Sequence, residues 1–161
     1  MAVSQTAKQG ATTINYPSAA FRATMKGSFT PSNQNPVIFS DEEFDDGNNY
    51  NPGSGHFIAS EDGLYMFNVN FYMAIAELSS DTIFLRLNGK RKETYIFTSA
   101  DFTDQGVVGT SRNSFAFSTL LRLRKKDFVN LEYATKWWRA TVGLDQLPPI
   151  IMLFSGFKIR D

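Results

Sequence analysis

The chain has 161 residues, the size of a single domain with a substantial hydrophobic core. Its 16 basic and 16 acidic residues cancel, so the overall charge gives no reason to expect nucleic acid or an anionic membrane as a partner. Because the chain has no cysteine, disulfide bridges, thiolate metal sites and thiol nucleophiles are excluded.

Residues 1–17 are small and polar and show no periodicity, which predicts a flexible N-terminal lead or linker remnant before a globular domain over residues 18–161. This first segment lacks the apolar core of a signal peptide. No apolar run in the chain approaches the length of a membrane span, so membrane insertion is not expected.

The first predicted strand is short. A strand over Ala19–Met25 is followed by a turn-rich span to Pro36 and by a brief apolar stretch at Val37–Phe39. Two runs of turn-forming residues come next, Asp45–Asn49 and Asn51–Gly55, because Gly, Asn and Asp permit positive φ or bond to their own backbone. Aromatic residues stand before, between and after these turns: Phe39, Tyr50 and Phe57. The alternation of aromatic residues and turns is typical of an all-β domain.

The clearest strand follows Gly63. Apolar side chains alternate strictly along one of its faces, which predicts a strand packed on the core: Tyr65, Phe67, Val69, Phe71, Met73 and Ile75. The other face carries Leu64, Met66, Asn68, Asn70, Tyr72 and Ala74. This second face is too apolar for plain exposure to solvent, yet it carries two asparagines. It therefore predicts a subunit contact, with Asn68, Asn70 and Tyr72 as candidate interface residues.

The second half of the chain continues this pattern without any long helical period. Its predicted strands are Thr82–Leu87, Glu93–Thr98, Ser114–Leu123, Phe128–Ala134 and Ile150–Ile159. Asn88 and Gly89 predict a tight hairpin, since a type I′ turn requires positive φ at both central positions. Lys125–Asp127 forms a further turn, and polar loops cover residues 99–113 and 135–149. Eight to ten strands with frequent turns predict a β-sandwich.

The spacing of seven residues resembles the signature of the complement C1q globular-head family: Phe39, Asp45, Tyr50, Phe57, Gly63, Tyr65 and Phe67. Val69 departs from the signature, which has an aromatic residue at that place. Leu87–Gly89 resembles the family's mid-chain turn, and Phe154–Phe157 resembles its closing strand. The resemblance spans roughly Ala19 to Ile159. Many family members carry Gly-Asp at the turn where this chain has Lys126-Asp127.

The resemblance implies an all-β fold, a ten-stranded jelly-roll β-sandwich like the tumour necrosis factor heads, which assembles as a compact homotrimer. It also implies an extracellular or surface location. The expected function is a non-enzymatic, lectin-like recognition head whose surface loops bind a carbohydrate, a protein or a surface pattern. Two alternatives remain open: a structural trimerising knob at the tip of a fibre or surface filament, and a cytokine-like receptor ligand.

Enzymatic activity is not expected. The single histidine, His56, lies in a polar turn, and any serine–histidine or carboxylate–histidine machinery would depend on it. The chain has no glycine-rich phosphate loop of the Walker or dinucleotide-binding type.

Metal binding has two candidate places. An acidic run of Asp41, Glu42, Glu43, Asp45 and Asp46 fails the EF-hand pattern and favours a solvated turn. Some members of the family that the chain resembles bind calcium with two aspartates, one near each end of the strand before the Lys125–Asp127 turn. Ser114 and Arg122 stand at those places and are poor calcium ligands. Asp101 and Asp104 are the candidate substitutes, and no other cofactor is expected.

The candidate ligand-binding residues are Lys136, Trp137, Trp138 and Arg139. Adjacent side chains of a strand point in opposite directions, so at least one tryptophan is expected to face away from the core. Exposed tryptophan beside basic residues is typical of binding hot spots. The alternative is that one ring packs under the last strand and the other fills a subunit seam. The run Lys90–Lys92 predicts a solvated hairpin tip, with contact to an anionic ligand as the alternative.

Overall fold

The structure is a computed structural model that describes residues 19–25, 35–75, 80–98, 111–135 and 152–161. Over these ranges the chain forms ten strands. They are β1 (Ala20–Met25), β2 (Asp41–Asp46), β3 (Tyr50–Asn51), β4 (His56–Ile58), β5 (Gly63–Ile75), β6 (Ser80–Leu87), β7 (Lys90–Thr98), β8 (Ser111–Leu123), β9 (Phe128–Thr135) and β10 (Met152–Arg160). The prediction of an all-β chain is confirmed.

The strands form two five-stranded antiparallel sheets. Sheet I has the order β2-β1-β10-β5-β8, and sheet II has the order β3-β4-β9-β6-β7. The strand pairing places the start of β5, the end of β8 and the end of β10 together at one end of sheet I, which we call the turn end. At the opposite end, Ile75 of β5 pairs with Ser111 of β8, and Asp81 of β6 pairs with Thr135 of β9.

The core is rich in aromatic rings from both sheets. Its largest ring-bearing side chains are Phe21, Phe39, Tyr50, Phe57, Tyr65, Phe67, Phe71, Tyr133 and Phe154. Phe21 stacks on Tyr50 with ring centroids 4.8 Å apart, and the Tyr50 hydroxyl donates a hydrogen bond to the Phe39 carbonyl at 3.1 Å. Burial raises the pKa of Tyr50 to about 12.

The predicted core faces are confirmed wherever the structure describes their side chains. On β5 the first four residues of the predicted face are buried, whereas the side chains of Met73 and Ile75 lie outside the described residues. The same alternation predicts inward faces on β6, β8 and β9, of which Ile83, Leu85, Leu123, Val129, Leu131 and Tyr133 are buried and Leu87, Phe117 and Leu121 are partly buried against the core.

The brief apolar stretch Val37–Phe39 does not form a strand, although Val37 and Phe39 are fully buried. Its apolar side chains fill the core, and one backbone–backbone hydrogen bond joins it to sheet II, from Val37 N–H to the Leu131 carbonyl at 2.8 Å. The strand lies instead at Asp41–Asp46, within the acidic run that the sequence assigned to a turn. Pairing with β1 satisfies the backbone of this edge strand, so its side chains do not need to be apolar.

Two predicted turns are confirmed at the turn end. Asn88 and Gly89 have φ of 51° and 76°, as a type I′ hairpin requires. The turn at Lys125–Asp127 lies beside this hairpin, since the Asn88 amide donates to Asp127 Oδ1 at 2.7 Å and its oxygen accepts from Phe128 N–H at 2.9 Å. Across the described ranges, no helix has the length and hydropathy that a membrane crossing requires.

Candidate functional site

The outer face of sheet I carries a row of apolar side chains that crosses four strands. In the strand register, Ala20 of β1 lies opposite Phe157 of β10, Phe157 opposite Met66 of β5, and Met66 opposite Leu120 of β8. Residues directly opposite each other in adjacent strands share a face, so these four side chains form one continuous row. Leu120 is 55% exposed. A single copy of the chain therefore leaves part of this row in contact with water.

The next row on the same face is mainly polar. It runs from Phe44 of β2 through Arg22, Ser155 and Asn68 to Ser118 of β8. The Ser118 hydroxyl donates a hydrogen bond to Asn68 Oδ1 at 2.7 Å, which fixes the orientation of that amide. At the β2 margin of the row, Phe44 is 46% exposed.

The predicted interface residues lie on this outer face as far as the structure describes them. Asn68 belongs to the polar row, and Asn70 is exposed in the next row, opposite Leu153 and Ala116. The side chain of Tyr72 lies outside the described residues. An apolar row beside rows of small polar groups is the composition of a protein contact surface rather than of a catalytic cleft.

The outer face of sheet II carries a charged cluster. Glu132 of β9 accepts hydrogen bonds from Arg86 Nη1 at 2.8 Å and from Arg91 Nη2 at 2.5 Å, and its side chain is only 11% exposed. The Arg91 guanidinium also lies over the Phe84 ring, 3.7 Å from its centroid. Arg91 and then Arg86 hold the pKa of Glu132 below its ordinary value.

This cluster was not predicted from the sequence. The one available signal was the alternation of polar residues on β6 and β9, but the partners are 46 and 41 residues apart in the chain. Because two guanidiniums already occupy the Glu132 carboxylate, it is a structural anchor for the hairpin and a poor general base. The predicted exposure of Lys90–Lys92 is confirmed.

His56 lies against an aromatic ring. It packs edge-on against Phe128, with ring centroids 5.1 Å apart. Within the described residues no hydrogen bond joins it to a serine or a carboxylate, which is the contact that nucleophile activation requires.

The acidic run does not converge on a metal. Asp45 Oδ2 accepts the Tyr50 N–H at 2.7 Å, and Glu43 pairs with Arg22 Nε at 2.7 Å. No group of three acidic or histidine side chains comes together in the part of the chain that the structure describes.

The calcium positions that the resemblance implies do not fit either. Ser114 and Arg122 pair with Tyr72 and Leu64 at the two ends of β8. Eight residues of extended strand separate them by about 27 Å, so they do not ligate one ion within one chain.

The remaining predicted site residues lie outside the described residues. They are Asp101 and Asp104, the calcium candidates, and Lys136, Trp137, Trp138 and Arg139, the ligand candidates. The strand residues that flank these segments, Thr98, Ser111, Thr135 and Met152, lie at the end of the sandwich opposite the turn end.

Comparisons with known proteins give a consistent result. The family model described as C1q domain matches residues 20–159. A search of curated proteins gave no match. Among solved structures, the globular domain of the zebrafish complement 1qA protein matches with a TM-score of 0.59 and 21% sequence identity, covering 89% of this chain and 99% of that one. At this identity the structural match supports the fold alone.

Proposed function

Since the chain belongs to the C1q domain family, as the match over residues 20–159 shows, we propose that it is a non-enzymatic recognition head that works as a homotrimer. Sheet I supplies the contact between copies, and loops at the end opposite the turn end bind a carbohydrate, a protein or a surface pattern. An extracellular or surface location belongs to the same proposal.

The observation that carries the self-association is the outer face of sheet I. Its apolar row ends at Leu120, which is more than half exposed, and Phe44 adds a second exposed large side chain on the same face. Fully burying one side chain of this size stabilises an assembly by about 1.5–3 kcal/mol relative to leaving the side chain exposed. In a homotrimer each of the three copies buries its own side chains, which supports self-association as the use of this face.

The proposal that the chain binds a ligand rests on the division between a rigid scaffold and the loops that it holds. The aromatic core and the paired strands form a rigid frame, and binding residues are commonly held on loops that such a frame positions. Tryptophan and arginine are enriched in binding hot spots. The candidate segment contains Trp137, Trp138 and Arg139, and Lys136 adds a further positive charge. Their segment leaves sheet II directly after Thr135.

A matched pair of substitutions tests the contact face. Leu120→Lys places a charge on the outer face of sheet I, and Ile58→Lys places one on β4 in sheet II, where Ile58 is 47% exposed. Light scattering is expected to show a shift toward one protomer for Leu120→Lys and for Asn70→Arg, with no shift for Ile58→Lys. Equal masses for all three variants and the wild type would rule out this face.

A second experiment tests recognition. We expect wild-type protein to bind selected members of an array of glycans and cell-surface preparations, and we expect Trp137→Ala/Trp138→Ala to reduce that binding at least tenfold (about 1.4 kcal/mol). Ile96→Ala, which removes a different exposed apolar side chain, is the control. A trimer that binds no ligand would favour the structural knob over the recognition head.

A further inference from the structure

Within the described residues, the two lateral edges of the sandwich carry charges of opposite sign. One edge of the sandwich is formed by β2 and β3, and the other by β7 and β8, because these are the outermost strands of the two sheets. We call the first the acidic edge, which carries Asp41, Glu42, Glu43, Asp45 and Asp46 on β2. We call the second the basic edge, and we include in it the turn at residues 124–127 that follows β8.

Much of the charge on the acidic edge is available for an outside partner. Glu43 is paired with Arg22, and Asp45 is partly buried against the Tyr50 backbone. Glu42 and Asp46 are exposed, and within the described residues neither makes an ion pair. The edge therefore presents carboxylates that its own neighbours do not neutralise.

The basic edge presents the complementary charge. Six of its cations are exposed and make no ion pair within the described residues: Lys90, Lys92, Arg122, Arg124, Lys125 and Lys126. Asp127 is held by the Arg124 N–H at 2.8 Å and by Asn88, while Glu132 is occupied by Arg86 and Arg91. The edge as a whole is positive.

The two edges are too far apart to neutralise each other within one molecule. Four strand spacings separate β2 from β8 across sheet I, which amounts to roughly 19 Å. The Debye length at physiological ionic strength is about 8 Å, so attraction across the sheet is largely screened. The opposite charges of the two edges can therefore attract each other only across a contact between two molecules.

Charged edge strands often serve only to prevent sheets from pairing edge to edge. Charges of one sign on both edges would achieve that, whereas opposite signs make one edge attract the other edge of a second copy. Such a contact joins two different surfaces, and repeated contacts of this kind form a ring when the rotation between copies closes. The acidic edge also borders the outer face of sheet I, because β2 belongs to that sheet.

Building on the proposed homotrimer, we propose that neighbouring copies are oriented by unlike edges, with the basic edge of one copy packed beside the acidic β2 of the next. The apolar row of sheet I supplies adhesion, and the edges determine which surfaces meet. Association is consequently sensitive to salt and to reversal of charge at either edge.

Wild-type protein gives the first test. Sedimentation at about 0.05 M and about 0.5 M sodium chloride changes the Debye length from roughly 14 Å to roughly 4 Å. The dissociation constant of the trimer is expected to rise roughly tenfold. A trimer whose dissociation constant is insensitive to salt would overturn the edge pairing and leave the homotrimer intact. A monomer at both salt concentrations would overturn both proposals.

Charge reversal gives the second test. Glu42→Lys/Asp46→Lys and Lys92→Glu/Arg122→Glu each bring one edge close to neutral, because the acidic edge carries five carboxylates and the basic edge six exposed cations. Each double variant is expected to raise the dissociation constant at low salt by roughly tenfold or more. The quadruple variant leaves both edges nearly uncharged and is expected to assemble no better than the double variants. Ile58→Lys and Ile58→Glu, at an exposed position of β4 that belongs to neither edge, control for net charge alone.

Each outcome of the charge-reversal experiment either supports or contradicts the pairing of the two edges. Weakened double and quadruple variants support the pairing, provided that thermal unfolding shows all variants to be folded. Unaffected double variants would contradict it, as would a folded quadruple variant that assembles like the wild type. If only the Lys92→Glu/Arg122→Glu variant differs, and it loses retention on a heparin column, the basic edge serves an anionic ligand and the pairing is wrong.

Discussion

Lys126 adopts a backbone conformation that suits glycine better. Its φ is 76°, in the left-handed region that costs a residue with a side chain about 1–2 kcal/mol. The sequence resemblance already marked this position as one where many family members carry glycine. The structure supplies the physical reason, because the turn between β8 and β9 requires positive φ there.

Replacing this lysine by glycine should stabilise the domain. We expect Lys126→Gly to raise the free energy of unfolding by about 0.5–1 kcal/mol, since the strain removed exceeds the added freedom of the unfolded chain. Urea titration measures the change. Lys125→Gly is the control, because Lys125 does not have positive φ, and it should not stabilise. Equal effects of both substitutions would contradict the strain argument.

We expect Glu132 to make a pH-dependent contribution to the free energy of unfolding. Its pKa is lowered, chiefly by hydrogen bonding from Arg91, so its contribution is present above the unfolded-state pKa of about 4.3 and is lost as the pH falls through the lower folded value. We expect Glu132→Gln to cost about 2 kcal/mol at neutral pH.

The pH profile separates this ion cluster from ordinary packing. The stability difference between wild type and Glu132→Gln should stay constant from neutral pH down to about pH 5 and should shrink below it. Unfolding titrations at several pH values measure the difference. A difference that persists unchanged at the lowest pH would mean that the substitution acts through shape rather than charge.

At the scale of an element, β10 depends on a glycine at its centre. Gly156 pairs with Phe21 of β1 and Phe67 of β5, and a Cβ built on it would lie 2.7 Å from Phe67 Cδ1 and 2.9 Å from Phe21 Cε1. The rings of both neighbouring strands thus occupy the space above this residue. The glycine lets the aromatic core close over the middle of sheet I.

Gly156→Ala should therefore lower stability by about 2–3 kcal/mol, because the two rings must move within a packed core. Thermal unfolding measures the loss. Gly53→Ala is the matched control, since the nearest atom to its added Cβ is a side-chain oxygen of Asn51 at 3.3 Å. An equal melting temperature for both variants would contradict this packing.

Strands with one buried face were predictable from the sequence, because apolar residues recur at every second position along such a strand. The pattern in β5 and β9 predicted which side chains enter the core. The acidic β2 was missed because an edge strand paired with β1 keeps most of its side chains in water and shows no alternation. The stretch Val37–Phe39 shows that an apolar run alone does not indicate a strand, because its side chains are buried without strand pairing.

The candidate contact surface was only partly predictable. The sequence indicated Asn68 and Asn70 as interface candidates from one strand. It did not indicate that Ser118, 50 residues away, bonds to Asn68, or that Leu120 extends the apolar row. Both facts depend on the register between β5 and β8, which is set by long-range pairing rather than by local pattern.

At the scale of the whole molecule, the balance of 16 basic and 16 acidic residues conceals an uneven distribution. The balanced composition did not predict opposite edges, because strand order in a sheet decides which charges become neighbours. The apolar row of sheet I and the unlike edges together support the proposal that these surfaces join copies of the chain.

The most direct test of this account is the molar mass of the unmodified protein in solution. Sedimentation equilibrium at micromolar concentration and low salt should give the mass of three protomers, because a lone copy leaves Leu120 and Phe44 exposed on one face. The mass of a single protomer over the whole concentration range would contradict the central claim that sheet I joins the copies.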